Sequence, residues 1–274
     1  MKNHLFKMKL DIILVIFILS FSGCFQPVVI DDDVMILAST TSMRDSGLLD
    51  ILLDDFTKST GIEVDYVAVG TGAALNLGKS GDVDILIVHA PELEEEFIEA
   101  GFGFNRTIFT WNYFILLAPE SYTKNLNLSD TLTEIIEQEK CFISRGDGSG
   151  THIKEQELWL MINQTKGIEM IDNDEGYHPI GEWYLSIGQG MSAAITMADQ
   201  KDCFTLSDKG THLNRADTDL IGLEFSEEVL LNPYSIILLE SPHQESTEKL
   251  QNFILNEGRS IIENHSINGQ QLFF

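Results

Sequence analysis

Short runs of β-branched and apolar residues alternate with helical stretches along this chain, and this alternation is typical of an α/β fold. Strands are predicted at residues 34–38, 62–69, 84–88, 113–118, 141–144, 183–187, 203–206 and 235–239. Helices are predicted at residues 46–60, 91–100, 131–138, 152–163, 191–199 and 244–257. The length of the chain accommodates two lobes of roughly 100–130 residues, an ordinary size for a compact unit.

Glycine, serine and threonine gather at most of the points where a predicted strand passes into a helix. These junctions lie at residues 39–42, 70–74, 89–91, 145–151 and 188–192. In a parallel sheet such junctions meet at the carboxyl edge, where ligands bind. Each junction also begins a helix, whose free N–H groups carry roughly half a positive charge. Helix capping explains any one of them, but together they predict a cage of hydrogen-bond donors.

The charge balance excludes some classes of ligand and leaves others open. The chain has 43 Asp and Glu against 17 Lys and Arg, and its formal net charge is -26. Nucleic acid and anionic membrane surfaces are disfavoured, because each phosphate contact needs Lys or Arg. A small anion in a local site is not disfavoured, because nearby dipoles outweigh the screened field of distant charges. The seven His lack metal-ligand spacing, so no cation site is predicted.

Residues 1–24 have the organisation of a secretory signal, with a basic start, a short apolar core and small residues at the end. The apolar core is shorter than the ~20 residues that a membrane span needs. The ending Ser22-Gly23-Cys24 is similar to that of a lipoprotein signal, in which the cysteine becomes the lipidated N-terminus. We therefore expect a signal at 1–24, a tether at 25–32, and an exported protein anchored by lipid on Cys24 at the extracytoplasmic face of the membrane. Cleavage without lipidation is the alternative.

The junctions, taken in order and spacing, resemble the tungstate-binding component of ABC transporters. The segments that carry the resemblance are LASTTS at 37–42, DSGLL at 45–49, VGTGAAL at 69–75, GDVDILIVHAP at 81–91 and SRGDGSGTH at 144–152. The resemblance implies a two-lobed periplasmic binding protein of type II, with two crossover strands and a ligand cleft between the lobes. Lobe one would comprise residues 33–112 and 240–274, and lobe two residues 113–239. It also implies oxyanion capture and delivery to a membrane permease, without a cofactor or catalysis, by a protein that we expect to be a monomer.

The resemblance further implies which residues hold the anion. Arg145 would be the fixed cation of the site. The hydroxyl and backbone N–H donors would come from Thr41, Ser42, Thr71, Gly72 and Ala73 in lobe one and from Ser149, Gly150, Thr151 and Ser192 in lobe two.

The chemistry of the junctions bears on the identity of the oxyanion. Tungstate, molybdate and sulfate are fully ionised at neutral pH and need only donors, whereas monohydrogen phosphate keeps a proton and needs an acceptor. Junctions 39–42 and 70–74 contain no carboxylate, and we expect Asp147 to hold Arg145 by an ion pair. This chemistry disfavours phosphate, and among the fully ionised oxyanions the resemblance implies tungstate. The alternatives are molybdate, sulfate or phosphate, or an oxyanion sensor without a role in transport.

An enzyme built on the same loop would use Ser149 or Thr151 as nucleophile and His152 as base. Neighbouring residues at the start of a helix point in different directions, which is poor geometry for such a pair. We therefore predict no catalytic activity. We also expect His89, at the end of a predicted strand, to be structural and not a ligand.

Cys141 and Cys203 begin two predicted strands that the resemblance makes neighbours in lobe two. In an oxidising compartment they form a disulfide if their geometry allows it. Two buried free thiols are the alternative.

Overall fold

The computed structural model describes residues 34–174, 176–215 and 217–274. The predicted signal, Cys24 and the tether lie outside these residues. The described strands are β1 (Met35–Thr40), β2 (Val64–Val69), β3 (Ile85–Val88), β4 (Phe104–Ala118), β5 (Phe142–Ser144), β6 (Met170–Asn173), β7 (Gly176–Pro179), β8 (Tyr184–Ser186), β9 (Phe204–Asp208), β10 (Ile221–Leu223), β11 (Leu231–Leu238), β12 (Ser266–Ile267) and β13 (Gln270–Gln271).

Helices connect most of these strands. They are α1 (Thr41–Asp45), α2 (Leu48–Thr60), α3 (Thr71–Ser80), α4 (Pro91–Glu99), α5 (Leu128–Glu137), α6 (Gly150–Lys166), α7 (Met191–Lys201), α8 (Lys209–Leu213), α9 (Gln244–Leu255) and α10 (Arg259–Asn264). A 3-10 turn at Glu228–Leu230 precedes β11. No helix within the described ranges combines the length and hydrophobicity that a membrane span requires.

One mixed sheet forms the centre of the molecule, in the order β2-β1-β3-β11-β4-β9-β5-β8, with β10 beside β4. The sheet is parallel at both ends, where β1 pairs with β2 and β3, and β5 pairs with β8 and β9. β11 is antiparallel to β3 and β4, and β4 is antiparallel to β9. The α/β class is confirmed, and β4 and β11 run antiparallel to their neighbours between the two parallel ends.

Helices cover both faces of each end of the sheet, because successive strand residues point to opposite faces. In β3, Ile85 and Ile87 contact the cluster that contains α2 and α9, whereas Leu86 and Val88 contact the cluster that contains α3 and α4. In β5, Phe142 packs in the cluster of α5 and α6, and its neighbour Ile143 packs in the cluster of α7. The result is a three-layer arrangement at both ends of the sheet.

β4 and β11 are longer than the sequence predicts. β4 begins at Phe104 instead of residue 113, and β11 begins at Leu231 instead of residue 235. The added parts contain Asn112 and Asn232, which are buried at 1% exposure each and interrupt the apolar pattern used for prediction. These two strands pair with each other, and Asn232 lies opposite Asn112 in the register.

Cys141 and Cys203 form a disulfide, with their Cα atoms 4.6 Å apart. The two residues directly precede β5 and β9, which pair in parallel with Phe142 opposite Phe204. The bond therefore joins the amino ends of two neighbouring strands, at the sheet edge away from the strand–helix junctions.

Candidate functional site

Arg145 follows β5 and is buried, with its guanidinium held from two directions. Its Nε and Nη2 atoms donate to Oδ2 of Asp147 at 3.2 and 2.6 Å, and its Nη1 donates to Oγ1 of Thr151 at 3.3 Å. A guanidinium carries five N–H hydrogens. Within the part of the chain that the structure describes, these three bonds leave one hydrogen on Nη1 and one on Nη2. Arg145 is thus a fixed cation with two further directed donors.

The loop between Arg145 and α6 is braced by its own side chains. Ser149 is the N-cap of α6, and its Oγ accepts from the backbone N–H of His152 at 3.4 Å. The N–H of Ser149 donates to Oδ1 of Asp147 at 3.1 Å, and Nδ1 of His152 accepts from the N–H of Gly148 at 3.1 Å. His152 therefore supports the loop instead of activating Ser149, which removes the geometric basis of the enzyme hypothesis.

The junction between β2 and α3 presents a second helix N-terminus. Gly70 is the N-cap of α3 and provides no side-chain cap. The next residue, Thr71, is 1% exposed, and its Oγ1 makes no hydrogen bond to any described residue. A buried hydroxyl without a partner costs free energy. Among the described residues, the hydroxyl of Thr71 is therefore a buried donor that a ligand would satisfy.

The N-termini of α3 and α6 face each other at close range. A β-carbon built on Gly70 would lie 3.8 Å from Cβ of Ser149, and one built on Gly72 would lie 3.8 Å from the carbonyl oxygen of Gly148. The first N–H groups of each helix have no intrahelical acceptor. Two positive helix ends thus converge beside Arg145, which is an arrangement that favours an anion.

The start of α1 lies on the same side as α3. Thr40 is the N-cap of α1, and its Oγ1 lies 3.1 Å from Oγ of Ser42. The buried Ser42 hydroxyl is also 3.0 Å from Nε2 of His89 and 3.3 Å from the Tyr234 hydroxyl. Thr41, between Thr40 and Ser42, is half-buried. The hydroxyl of Ser42 therefore has three protein neighbours.

A buried polar network extends from Ser42 to the two long strands. Nδ1 of His89 lies 2.8 Å from Oδ1 of Asn232, whose Nδ2 donates to Oδ1 of Asn112 at 2.7 Å and to the Tyr234 hydroxyl at 3.3 Å. Nδ2 of Asn112 also donates to the Tyr234 hydroxyl, at 3.4 Å. Sequence reasoning missed Asn112, Asn232 and Tyr234. The alternation of Asn232 and Tyr234 on one face of β11 is the signal that could have found them.

Burial shifts the pKa values of the titratable side chains in and around this network. Burial lowers the pKa of His89 to about 4, the positive charge of Arg145 acts in the same direction, and the bond to Asn232 opposes both. Burial also raises the pKa of Tyr234 and that of Asp208, at the end of β9. The hydroxyl of Thr211 donates to Oδ2 of Asp208 at 2.6 Å, and its backbone N–H donates to Oδ1 at 2.8 Å. At neutral pH His89 is thus uncharged.

The remaining predicted ligands lie in less buried positions. Gly72 is half-buried, and the side chains of Ala73 and Ser192 are exposed. The loop before Ser192 is tied to the Arg145 loop, because the N–H of Gln189 donates to the carbonyl of Arg145 at 3.0 Å. The carbonyl of Ser192 itself accepts from Nη1 of Arg215 at 3.0 Å. Its place among the ligands stays a prediction.

Comparison with known proteins places this architecture in a family. Residues 28–255 match the family model described as the PBP superfamily domain. The chain is 41% identical over 235 residues to the tungstate-binding protein TupA of Peptoclostridium acidaminophilum, covering 81% of this chain and 78% of that protein.

Two solved structures agree in both sequence and fold. The tungstate ABC transporter structure from Geobacter sulfurreducens is 38% identical with a TM-score of 0.72, covering 84% of this chain and 98% of that one. The tungstate-binding protein TupA from Desulfovibrio alaskensis G20 is 34% identical with a TM-score of 0.70, covering 88% and 97%. The chain therefore belongs to the PBP superfamily and, within it, to the same family as the TupA proteins.

Proposed function

We propose that this protein binds tungstate between the N-termini of α1, α3 and α6 and delivers it to the permease of an ABC transporter. Its family consists of binding components of such transporters and not of enzymes. The observation that carries the proposal is the buried Arg145, which keeps two N–H donors beside two converging helix N-termini. The relatives named above are tungstate-binding proteins, and this supports tungstate over other oxyanions.

The engagement of Asp147 supports a fully ionised ligand. Its Oδ2 accepts from Arg145 and its Oδ1 accepts from the N–H of Ser149, so both carboxylate oxygens serve the loop that carries them. A protonated anion such as monohydrogen phosphate needs an acceptor, whereas tungstate needs only donors. Thr71, Ser149, Gly150 and Thr151 are the proposed donors, together with Thr41, Ser42, Gly72 and Ala73.

We also propose the division into lobes and the location of the protein. Residues 33–112 with 240–274 would form lobe one, and residues 113–239 lobe two. The hydrophobic cluster around α5 and α6 draws all its residues from the proposed lobe two, which supports this division, whereas the cluster around α2 and α9 also includes Tyr234, Ile236 and Leu238 of β11. Family membership implies export. A lipid anchor on Cys24 and a monomeric state are the further parts of the proposal.

Calorimetric titration tests the ligand directly. The chain from residue 26 onward, freed of bound anion, is titrated with tungstate, molybdate, sulfate and phosphate in turn. We expect tight one-to-one binding of tungstate and none of phosphate. Tight binding of phosphate would show that a carboxylate faces the ligand and that the assignment is wrong. Binding of none of the four anions would reject oxyanion capture as the function.

A further inference from the structure

We infer that His89 is a positioning residue that accepts a hydrogen bond from the Ser42 hydroxyl. Ser42 then offers an anion its backbone N–H and not its hydroxyl. The inference deepens the proposed function and rests on it. It follows from counting donors and acceptors in the buried network that joins Ser42 to β4 and β11.

The count begins at Asn232. Its Nδ2 has two hydrogens, and the two acceptors in reach are Oδ1 of Asn112 at 2.7 Å and the Tyr234 hydroxyl oxygen at 3.3 Å. Its Oδ1 is therefore the atom at 2.8 Å from Nδ1 of His89. An amide oxygen only accepts, so Nδ1 of His89 carries a hydrogen and donates it.

The protonation of Nδ1 determines the role of the other ring nitrogen. A neutral imidazole has one donor nitrogen and one acceptor nitrogen. Nε2 of His89 is then an unprotonated acceptor, 3.0 Å from Oγ of Ser42. Since Ser42 has a single hydroxyl hydrogen, that hydrogen is directed at His89.

The other neighbours of the Ser42 hydroxyl fit the same direction. The Tyr234 oxygen accepts from both asparagines, and its own hydrogen is directed at Oγ of Ser42, 3.3 Å away. Oγ1 of Thr40 accepts from the N–H of Met43 at 3.4 Å and donates to the same Ser42 oxygen at 3.1 Å. The Ser42 oxygen thus donates once and accepts twice, which completes its hydrogen-bonding capacity.

The hydroxyl of Thr71, unlike that of Ser42, neither donates to nor accepts from a described residue. Its Oγ1 is buried and makes no hydrogen bond within the described residues. Two buried hydroxyls at neighbouring helix starts thus have different roles: Thr71 donates to the anion, and Ser42 is held in place by His89. The alternative arrangement requires both asparagine amides to be reversed, with Nε2 of His89 protonated and the Ser42 hydrogen free for the ligand.

Nitrogen NMR distinguishes the two arrangements without depending on ligand binding. The protein is labelled with ¹⁵N-histidine, and the His89 ring signals are assigned by comparison with His89→Gln. We expect a neutral ring with the hydrogen on Nδ1, both without and with tungstate, between pH 6 and pH 8. A hydrogen on Nε2, or a doubly protonated ring, in either state would overturn the inference.

Calorimetry with tungstate tests the consequence for binding. A hydrogen bond from a hydroxyl to a charged ligand contributes roughly 10- to 150-fold in affinity. We expect a loss in that range for Thr71→Val, but less than roughly tenfold for Ser42→Ala, which keeps the backbone N–H. Thermal unfolding of both variants, compared with the unmodified protein, checks that each is folded at the titration temperature.

The outcomes separate the inference from the proposed function. An equal loss in Ser42→Ala and Thr71→Val would show that Ser42 uses its hydroxyl, and would overturn the inference while oxyanion binding stands. Failure of the unmodified protein to bind tungstate would reject the proposed function and with it the binding role given to Ser42. The NMR result would still decide the direction of the His89–Ser42 bond.

Discussion

Gly150 lies directly against His89: a β-carbon at position 150 would stand only 2.9 Å from the carbonyl oxygen of His89. Gly150 is the first residue of α6, and His89 follows β3. The contact joins the helix that supplies the proposed lobe-two donors to the side of the site that holds Ser42. Any side chain at position 150 therefore separates the two halves of the site.

We expect Gly150→Ala to weaken tungstate binding by about 1–3 kcal/mol, the usual cost of an added methyl group in a closely packed region. The helix itself tolerates alanine at its first position, so we attribute the loss to the contact with His89 and not to helix propensity. Calorimetry gives the affinity, and small-angle X-ray scattering with and without tungstate shows whether the lobes close. Gly190→Ala is the matched control, because a β-carbon there meets no atom within 4 Å. Equal affinities for the two variants would contradict the prediction.

Replacement of Arg145 should remove the only full positive charge assigned to the proposed cage. We expect Arg145→Ala to lose about 2–5 kcal/mol of tungstate binding, because the dianion loses its counter-charge and two directed donors. The tungstate affinity of Arg145→Lys should lie between those of the unmodified protein and Arg145→Ala, because lysine keeps the charge but not the planar fork of donors. Arg259→Ala, at an exposed arginine paired with Glu263, controls for net charge in the same titration. A loss of less than about threefold in Arg145→Ala, well under one bonded donor's contribution, would end the role assigned to Arg145.

Glu155 gives the protein a measurable pH dependence. Its Oε1 accepts from the Tyr184 hydroxyl at 2.6 Å and from Nε1 of Trp159 at 3.0 Å, and burial raises the pKa of this carboxyl from 4.5 to about 7. The folded state therefore binds the proton more tightly than the unfolded state. This contribution to stability is complete below pH 4.5 and is lost as the pH rises through 7.

Glu155→Gln should remove the loss of stability that deprotonation of Glu155 causes as the pH rises. Relative to the unmodified protein, we expect the variant to gain about 2–3 kcal/mol in free energy of unfolding between pH 5 and pH 8. Urea denaturation at the two pH values measures the difference. Glu157→Gln, on the same helix at a more exposed position, is the control. Parallel pH dependence in the unmodified protein and Glu155→Gln would disprove the assignment.

The Cys141–Cys203 bond should matter for stability and not for binding. It joins residues separated by 62 positions, and a loop of that length contributes about 4 kcal/mol through the entropy of the unfolded chain. We expect the paired change Cys141→Ser and Cys203→Ser to lower the free energy of unfolding by about 2–4 kcal/mol. Tungstate affinity should be unchanged, because the bond lies at the opposite edge of the sheet from Arg145. Urea denaturation and calorimetry on the same samples check both parts, and a large loss of affinity would contradict this separation.

Local sequence patterns predicted the ends of the sheet well and its middle poorly. The apolar run of β3 and the Gly-rich loop before α6 are continuous in sequence, so strand, turn and helix could be recognised there. The first parts of β4 and β11 could not, because Asn112 and Asn232 are buried polar residues that only their mutual pairing satisfies. The partners are far apart in the chain, and single-sequence periodicity contains no information about them.

The same limit applies to the proposed site. Arg145 and its bond to Asp147 lie within one loop and were expected from the sequence. The network of His89 with Ser42, Asn232 and Tyr234 was not, because it joins three separate segments of the chain. A sequence pattern can therefore identify a loop that bears ligands, but not the neighbours that decide which atom of the loop faces the ligand.

The position of β11 has a consequence for how the chain acquires its structure. This strand completes the middle of the sheet, where Ile236 lies opposite Ile87 of β3 and opposite Thr107 of β4. The strands on either side of it are synthesised long before it, and they cannot form their final pairing until it arrives. Pairings so distant in sequence slow folding. In a nascent chain of this design, β3 and β4 can be joined in one sheet only after residues 231–238 have emerged.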